Sequence, residues 1–203
     1  IEALHMVRIP DPSTAVKRYP HEYSGGMKQR AMIAMMLSCL PDLLIADEPT
    51  SNLDVTIQAQ ILQLMKDLKE KFGTAILLIT HDIGVAAEMC DRIAVMYSGK
   101  IIEYSDVIKI FRNPLHPYTR ALLRSTPRID VKQERLEGIP GTVPSCIKPP
   151  PGCRFHPRCR YAAEICSKKE PKMTEIEEGH LVSCLRIHEL INEGVMMNAQ
   201  SNM

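Results

Sequence analysis

Between residues 43 and 79 short all-apolar runs flank one long amphipathic stretch. Leu43 to Ala46 is unbroken apolar sequence and reads as a strand buried on both faces, and Ala75 to Ile79 reads the same way. From Val55 to Phe72 the apolar residues Ile57, Ile61, Leu64, Met65, Leu68 and Phe72 recur at the spacing of one helix face, and Gly73 stops the segment. A strand, a helix and a strand in this order predict a parallel pair, with functional groups at the carboxyl ends of the strands. Asp47, Glu48 and His81 fall at such ends. The pattern then turns antiparallel: a helix begins near Asp82, and Ile93 to Tyr97 and Ile101 to Tyr104 flank Ser98-Gly99-Lys100, which predicts a hairpin. Ser105 is expected to cap the next short helix. At the other end, Ile1 to Val7 reads as the end of a helix, and Pro10, Pro12 and Pro20 mark a linker.

Composition narrows the class. With 45% hydrophobic residues in 203, the chain can bury a substantial core and has room for one domain with a smaller appendage. A formal net charge of +1, without a basic stripe interleaved with aromatics, gives no reason to expect nucleic acid. No apolar stretch approaches the roughly 20 residues that a membrane span needs, and no signal peptide is expected. Membrane contact is therefore expected through a partner.

The candidate chemistry centres on Ser24-Gly25-Gly26-Met27 and on Asp47-Glu48. Two glycines let the backbone turn sharply and approach a ligand, and the helix starting near Met27 offers unpaired N–H groups and a positive dipole end to an anion. Adjacent side chains at a strand end point apart, so one carboxylate can hold magnesium while the next faces an attacking water as general base. Gly99-Lys100 is not a phosphate loop, because no glycine stands five positions before Gly99 and Ile101 follows where Ser or Thr is required.

The order Tyr23-Ser24-Gly25-Gly26-Met27, Asp47-Glu48, Ser51-Asn52-Leu53-Asp54 and Thr80-His81-Asp82 resembles the signature, Walker B, D-loop and H-loop of ATP-binding cassette ATPases. The resemblance implies an α/β fold: a partial P-loop NTPase domain with a parallel sheet core. It implies that Ser24, Gly25, Gly26 and Met27 contact the γ-phosphate of ATP held mainly by an opposing subunit. Asp47 would serve Mg²⁺, Glu48 would activate water, His81 would reach the γ-phosphate, and Asp54 joins the nucleotide-binding set through the D-loop. Tyr23 stands where the family usually has Leu, and Asn52 where Ala is common. The family's phosphate loop and glutamine loop lie upstream of the signature, and residues 1 to 20 contain neither, so the chain reads as lacking the Walker A region.

Past Phe111 the sequence becomes proline-rich, with six prolines from Pro140 to Pro157. Asn113-Pro114-Leu115-His116-Pro117-Tyr118-Thr119-Arg120-Ala121-Leu122-Leu123, with Gly138-Ile139-Pro140-Gly141, Pro144 and Gly152-Cys153-Arg154-Phe155, resembles the carboxy-terminal extension of oligopeptide and dipeptide transporter ATPases. This predicts a cassette portion over 1–112, an extension over 113–191 and a disordered tail over 192–203. Cys39 and Cys90 are expected to be buried small hydrophobes. Cys153, Cys159, Cys166 and Cys184, separated by five, six and seventeen residues, lie in a weakly cored segment where a metal would replace missing apolar stabilisation. Those gaps are wider than the pairs of structural zinc sites, and four thiolates can hold a [4Fe-4S] cluster, which some peptide-transporter ATPases carry here. Zinc and metal-free thiols are the alternatives. Cys146 and His156 are expected to serve loop packing.

The leading expectation is an ATP-hydrolysing subunit of a peptide importer, peripheral at the cytoplasmic face of the membrane, with this chain by itself not expected to turn ATP over because it lacks the loop that positions the phosphates. Its partners would be a second ATPase subunit, membrane permease subunits and, indirectly, a substrate-binding protein. A metal-binding redox or regulatory module and a soluble, non-transport cassette ATPase are the competing readings.

Overall fold

A computed structural model describes residues 1–126 and 138–196. The chain forms two compact units, Ile1–Met89 and Cys90–Met203.

In the first unit the crossover pattern is realised. Strand β1 (Leu43–Asp47) pairs parallel with β2 (Ala75–Ile79), and Asp47 lies opposite Ile79 at the carboxyl end. Between them runs α4 (Val55–Phe72), started by Asp54, whose carboxylate accepts from the Ile57 N–H, and ended by Gly73 at φ 66°, a left-handed cap that favours glycine. Before the sheet come α1 (Glu2–Met6), α2 (Pro12–Ala15) and α3 (Gly25–Leu37); α5 (Ile83–Met89) follows it, its start capped by Asp82 through the Gly84 and Val85 N–H groups. One core joins these pieces: Val7 and Ile9, Ile33, Ala34 and Leu37 of α3, and Ile61, Leu64, Met65 and Leu68 of α4. The helical period of α4 thus marks its buried face. The strands differ from their expected burial. Leu44 is buried, but Leu43, Ile45, Leu77 and Ile79, which alternate with the core-facing positions, are each about half exposed. Among the described residues the parallel sheet has two strands, and the core covers one of its faces.

In the second unit β3 (Arg92–Tyr97) and β4 (Lys100–Asp106) form the expected hairpin, with Ser98 and Gly99 both at positive φ in the turn. Ser105 does not cap the next helix. It lies within β4 with its hydroxyl buried, and Asp106 caps α6 (Val107–Arg112) by accepting from the Lys109 N–H. Helix α7 (Pro117–Arg124), α8 (Glu164–Lys168), β5 (Thr174–Glu177), β6 (His180–Val182) and α9 (Ile187–Asn192) complete the unit. The antiparallel order is β3-β4-β6-β5. Because β4 is hydrogen-bonded to β6, the hairpin groups with the extension in the second unit.

The extension also has more core than its composition suggests. Tyr97, Ile102 and Phe155 form one buried cluster, and Leu115, Val182, Ile187, Leu190 and Met196 form another. Met196, expected in a disordered tail, is 1% exposed in that second cluster, since Val195 and Met196 turn back to donate their N–H groups to the Leu190 carbonyl. The remainder of the expected tail, 197–203, lies outside the described residues.

Candidate nucleotide site and cysteine cluster

Helix α3 begins at the Ser-Gly-Gly sequence because Ser24 takes the N-cap position, its Oγ accepting from the Met27 N–H at 3.3 Å. Gly26 is required by packing: a Cβ there would lie 2.8 Å from Ile57 Cγ2, at the start of α4. A Cβ on Gly25 would lie 3.5 Å from Leu53 Cδ2. The signature segment therefore rests against the segment Leu53-Asp54 and the first turn of α4.

At the strand ends Asp47 closes β1, and Glu48 follows in the left-handed region at φ 45°, uncommon for a residue with a side chain. Its N–H donates to the Ile79 carbonyl at 2.9 Å, which prolongs the inter-strand pairing through the bend. Glu48 and His81 meet there, Oε1 to Nδ1 at 2.8 Å, and the Ser51 hydroxyl donates to Glu48 Oε2 at 2.5 Å. Both members of the pair face solvent. The Ser51 and His81 hydrogen bonds hold the Glu48 carboxyl below its ordinary range, and the Glu48 carboxylate raises His81 above its own. At neutral pH the pair is an ionised carboxylate beside an imidazole biased towards its protonated form. Asp47, exposed beside Glu48, has carboxylate oxygens of the kind that could ligate magnesium. Asp54 is engaged as the cap of α4.

In the second unit Cys153, Cys159, Cys166 and Cys184 line one small cavity, of about 20 Å³, with His116, Phe155 and Tyr161. Gly152 makes this possible: at φ 70° its Cα lies so close to the Cys166 carbonyl that a Cβ would sit 2.4 Å from that oxygen, and the Cys153 N–H then donates to it at 2.8 Å. Burial pushes the Cys159 thiol up to about 11 and Cys184 up to about 12, and it raises Cys153 as well. The neighbouring thiols add to each shift. Such thiols are protonated at neutral pH unless a cation offsets the thiolate charge. Among the described residues no three His, Cys, Asp or Glu side chains are grouped as ligands of one metal ion. His156 bonds the Cys153 carbonyl through Nδ1 at 2.8 Å, which is loop packing, and exposed Cys146 lies 3.6 Å from the Ser98 hydroxyl. Cys39 and Cys90 are not buried: Cys39 is exposed after the end of α3, and Cys90 is half-buried after the end of α5.

The sequence reading missed Glu103 and His180. Glu103, on β4, is fully buried and accepts from the Leu115 N–H at 2.6 Å, the His116 N–H at 3.0 Å and His180 Nε2 at 2.8 Å. This explains the His-Pro-Tyr sequence. His116 caps α7, its Nδ1 accepting from the Tyr118 N–H at 3.0 Å; Pro117 takes the first helical position; and the Tyr118 ring packs on Tyr97 and Phe155. Burial drives His116 down to about 4, so the ring is neutral. A carboxylate within the apolar strand Ile101 to Tyr104 was the available signal.

The ABC transporter family model matches residues 1–51, and the model described as "Oligopeptide/dipeptide transporter, C-terminal region" matches residues 102–166. A probable peptide ABC transporter ATP-binding protein of Sinorhizobium fredii is 55% identical over 193 residues, covering 95% of this chain and 58% of that protein. The oligopeptide transport ATP-binding protein AppD of Bacillus subtilis is 52% identical over 93% of this chain and 58% of its own length. OppD of Escherichia coli is 48% identical, at 94% and 57%. The chain spans less than two thirds of each of these relatives. Among solved structures, a dimeric bacterial ABC transporter cassette is similar over 52% of this chain and 44% of its own, at 33% identity and a TM-score of 0.46.

Proposed function

The chain belongs to the ATP-binding proteins of oligopeptide and dipeptide ABC transporters, and on that premise we propose that it couples ATP hydrolysis to peptide import. It would act as a peripheral subunit on the cytoplasmic face of the membrane, paired with a second ATPase subunit and docked on membrane permeases. No helix among the described residues is long and apolar enough to cross a membrane, so permeases would supply the spans.

The observation that carries this reading is the Glu48–His81 contact at the carboxyl ends of two parallel strands. Glu48 is the general base: it is ionised, exposed and fixed by Ser51, so it can orient and deprotonate an attacking water. His81 would exchange its bond to Glu48 for one to the γ-phosphate. Asp47 would hold Mg²⁺, whose charge offsets that of the phosphates. Ser24, Gly25, Gly26 and Met27 present a helix start to nucleotide held by the opposing subunit, with Asp54 at the seam. Peptide and substrate-binding protein are reached only through the permeases. In a reconstituted transporter whose ATPase subunit carries this sequence together with a phosphate loop, Glu48→Gln should lower ATP turnover by roughly 10²–10⁴-fold with nucleotide binding retained. Near-normal turnover would assign the base elsewhere.

As a second reading we propose that Cys153, Cys159, Cys166 and Cys184 of the extension, which line one cavity, hold a [4Fe-4S] cluster. The raised thiol pKa values fit sites that ionise only with metal charge beside them. A single zinc would draw all four sulfurs to about 2.3 Å from one ion, whereas a cluster presents a separate iron to each. Anaerobically purified protein should be brown, with iron and acid-labile sulfide each near about four per chain. Serine at any one of the four should bleach it and Cys146→Ser should not; stoichiometric zinc without iron would replace the cluster with a structural zinc site.

A further inference from the structure

The second unit holds another cavity, of about 30 Å³, lined by Arg120 and Arg124 of α7, by Ile139 and Pro140, and by Arg158, Arg160 and Tyr161. That is room for about two water-sized groups, with the rest of a ligand in solvent. No carboxylate lines it among the described residues.

The guanidiniums whose bonds are defined spend them on neutral acceptors. Arg120 is 8% exposed, and its Nη1 donates to the Val195 carbonyl and lies 3.5 Å from Met196 Sδ. Arg158 donates from Nε to the Pro140 carbonyl at 2.8 Å, from Nη2 to the Ile139 carbonyl at 2.9 Å and from Nη1 to the Tyr97 hydroxyl at 3.3 Å. These bonds fix the two forks without neutralising them. Arg124, exposed at the last turn of α7, adds like charge: after burial it is the main influence lowering the Arg120 pKa. A desolvated guanidinium facing a second cation is costly unless an anion shares the space.

We propose that this arginine-lined cavity is a binding site for a phosphoryl oxyanion. A phosphate dianion matches the charge of several guanidiniums and offers the acceptors their planar forks engage in pairs, whereas one carboxylate would neutralise one of them. Fixed Arg120 and Arg158 form the floor, and exposed Arg124 closes over the anion. The site lies in the extension, and its occupancy does not depend on the catalytic reading of Glu48 and His81.

The probes are inorganic phosphate and glucose 6-phosphate, added to the full chain at matched ionic strength, with sodium chloride and sodium acetate as controls. At a hundredfold excess over Kd, phosphate should raise Tm by roughly 5 °C or more. Titration calorimetry should show at least a tenfold weaker Kd in Arg124→Gln, whose exposed position leaves the fold intact. Binding of glucose 6-phosphate with the same sensitivity would identify a phosphate ester as ligand; response to phosphate alone would identify the free anion. Equal effects of chloride or acetate, no phosphate response, or phosphate binding unchanged in Arg124→Gln would overturn the proposal. Arg120→Lys, which keeps charge but loses the fork, gives a second measurement if it folds: unchanged affinity there would also overturn it.

Discussion

In the first unit the Glu48 carboxylate stands 43% exposed beside His81 at 80%, while in the second Glu103 and His180 face each other at 0%. The distances are the same, 2.8 Å in both pairs. Their surroundings give them different work. In water a carboxylate–imidazole contact is screened, adds little to stability and can be exchanged for a ligand. A buried one must stay made, because each group it satisfies would otherwise be stranded away from solvent. Glu103 satisfies two backbone N–H groups as well as His180, so it ties the approach to α7 to strands β4 and β6. One pair is open to exchange for a ligand, as the proposed function requires, and the other holds an architecture.

The sharpest way to break this contrast is to remove each carboxylate and measure stability. Glu103→Ala strands the Leu115 and His116 N–H groups and the His180 ring in a dry site, and should cost about 3–5 kcal/mol in denaturant unfolding of the second unit. Glu48→Gln should leave the unfolding midpoint nearly unchanged while removing turnover. An unchanged midpoint for Glu103→Ala would show that water reaches that network, and the contrast would collapse.

A gentler perturbation protonates the buried network. His116 has its folded pKa depressed from 6.5 to about 4, so below 6.5 the unfolded chain binds the proton that the folded chain refuses. Stability contributed by neutral His116 is therefore complete above about pH 6.5 and is lost as pH falls towards about 4, by about 3 kcal/mol at roughly 1.4 kcal/mol per pH unit. Unfolding measured across that window should show the decline. In His116→Asn, which keeps a helix-capping side chain but cannot titrate, the slope should flatten. An equal slope in the variant would assign the acid sensitivity to another group.

The same contrast explains which features could be read from sequence. The nucleotide motifs are local: Ser24 caps within three residues of itself, Ser51 reaches Glu48 across three, and the helical period of α4 lies in one continuous segment. Periodicity and spacing reveal such features directly. Glu103 and His180 are 77 positions apart, and neither belongs to a recognisable short pattern, so their pairing follows only from the register of β4 against β6. The placement of Ser105 failed for a related reason. Serine and aspartate are both good caps, and strand β4 runs two residues past the apolar pattern, through Ser105 to Asp106, which passes the cap to Asp106. Composition likewise undercounted the extension's core, since Phe155, Tyr97 and Tyr118 meet from three separated segments. The burial of both strand faces was over-read because an all-apolar run does not say how many of its neighbours are present.

The smallest expected effect separates two roles of one residue in the first unit. Asp54 caps α4 through the Ile57 N–H at 2.9 Å, and the proposed function also assigns it to the nucleotide-binding set. Capping is a local backbone interaction, and losing it should cost about 1 kcal/mol. Asp54→Asn and Asp54→Ser retain a side-chain oxygen that can accept from the same N–H, whereas Asp54→Ala does not. If capping is the residue's whole contribution, Ala should lower thermal stability slightly, Asn and Ser should restore it, and ATP turnover in the reconstituted transporter should follow stability. If the charge itself serves nucleotide at the subunit seam, Asn and Ser will fold as wild type and turn over ATP more slowly. That outcome would bring Asp54 to the functional side of the contrast drawn by Glu48 and Glu103.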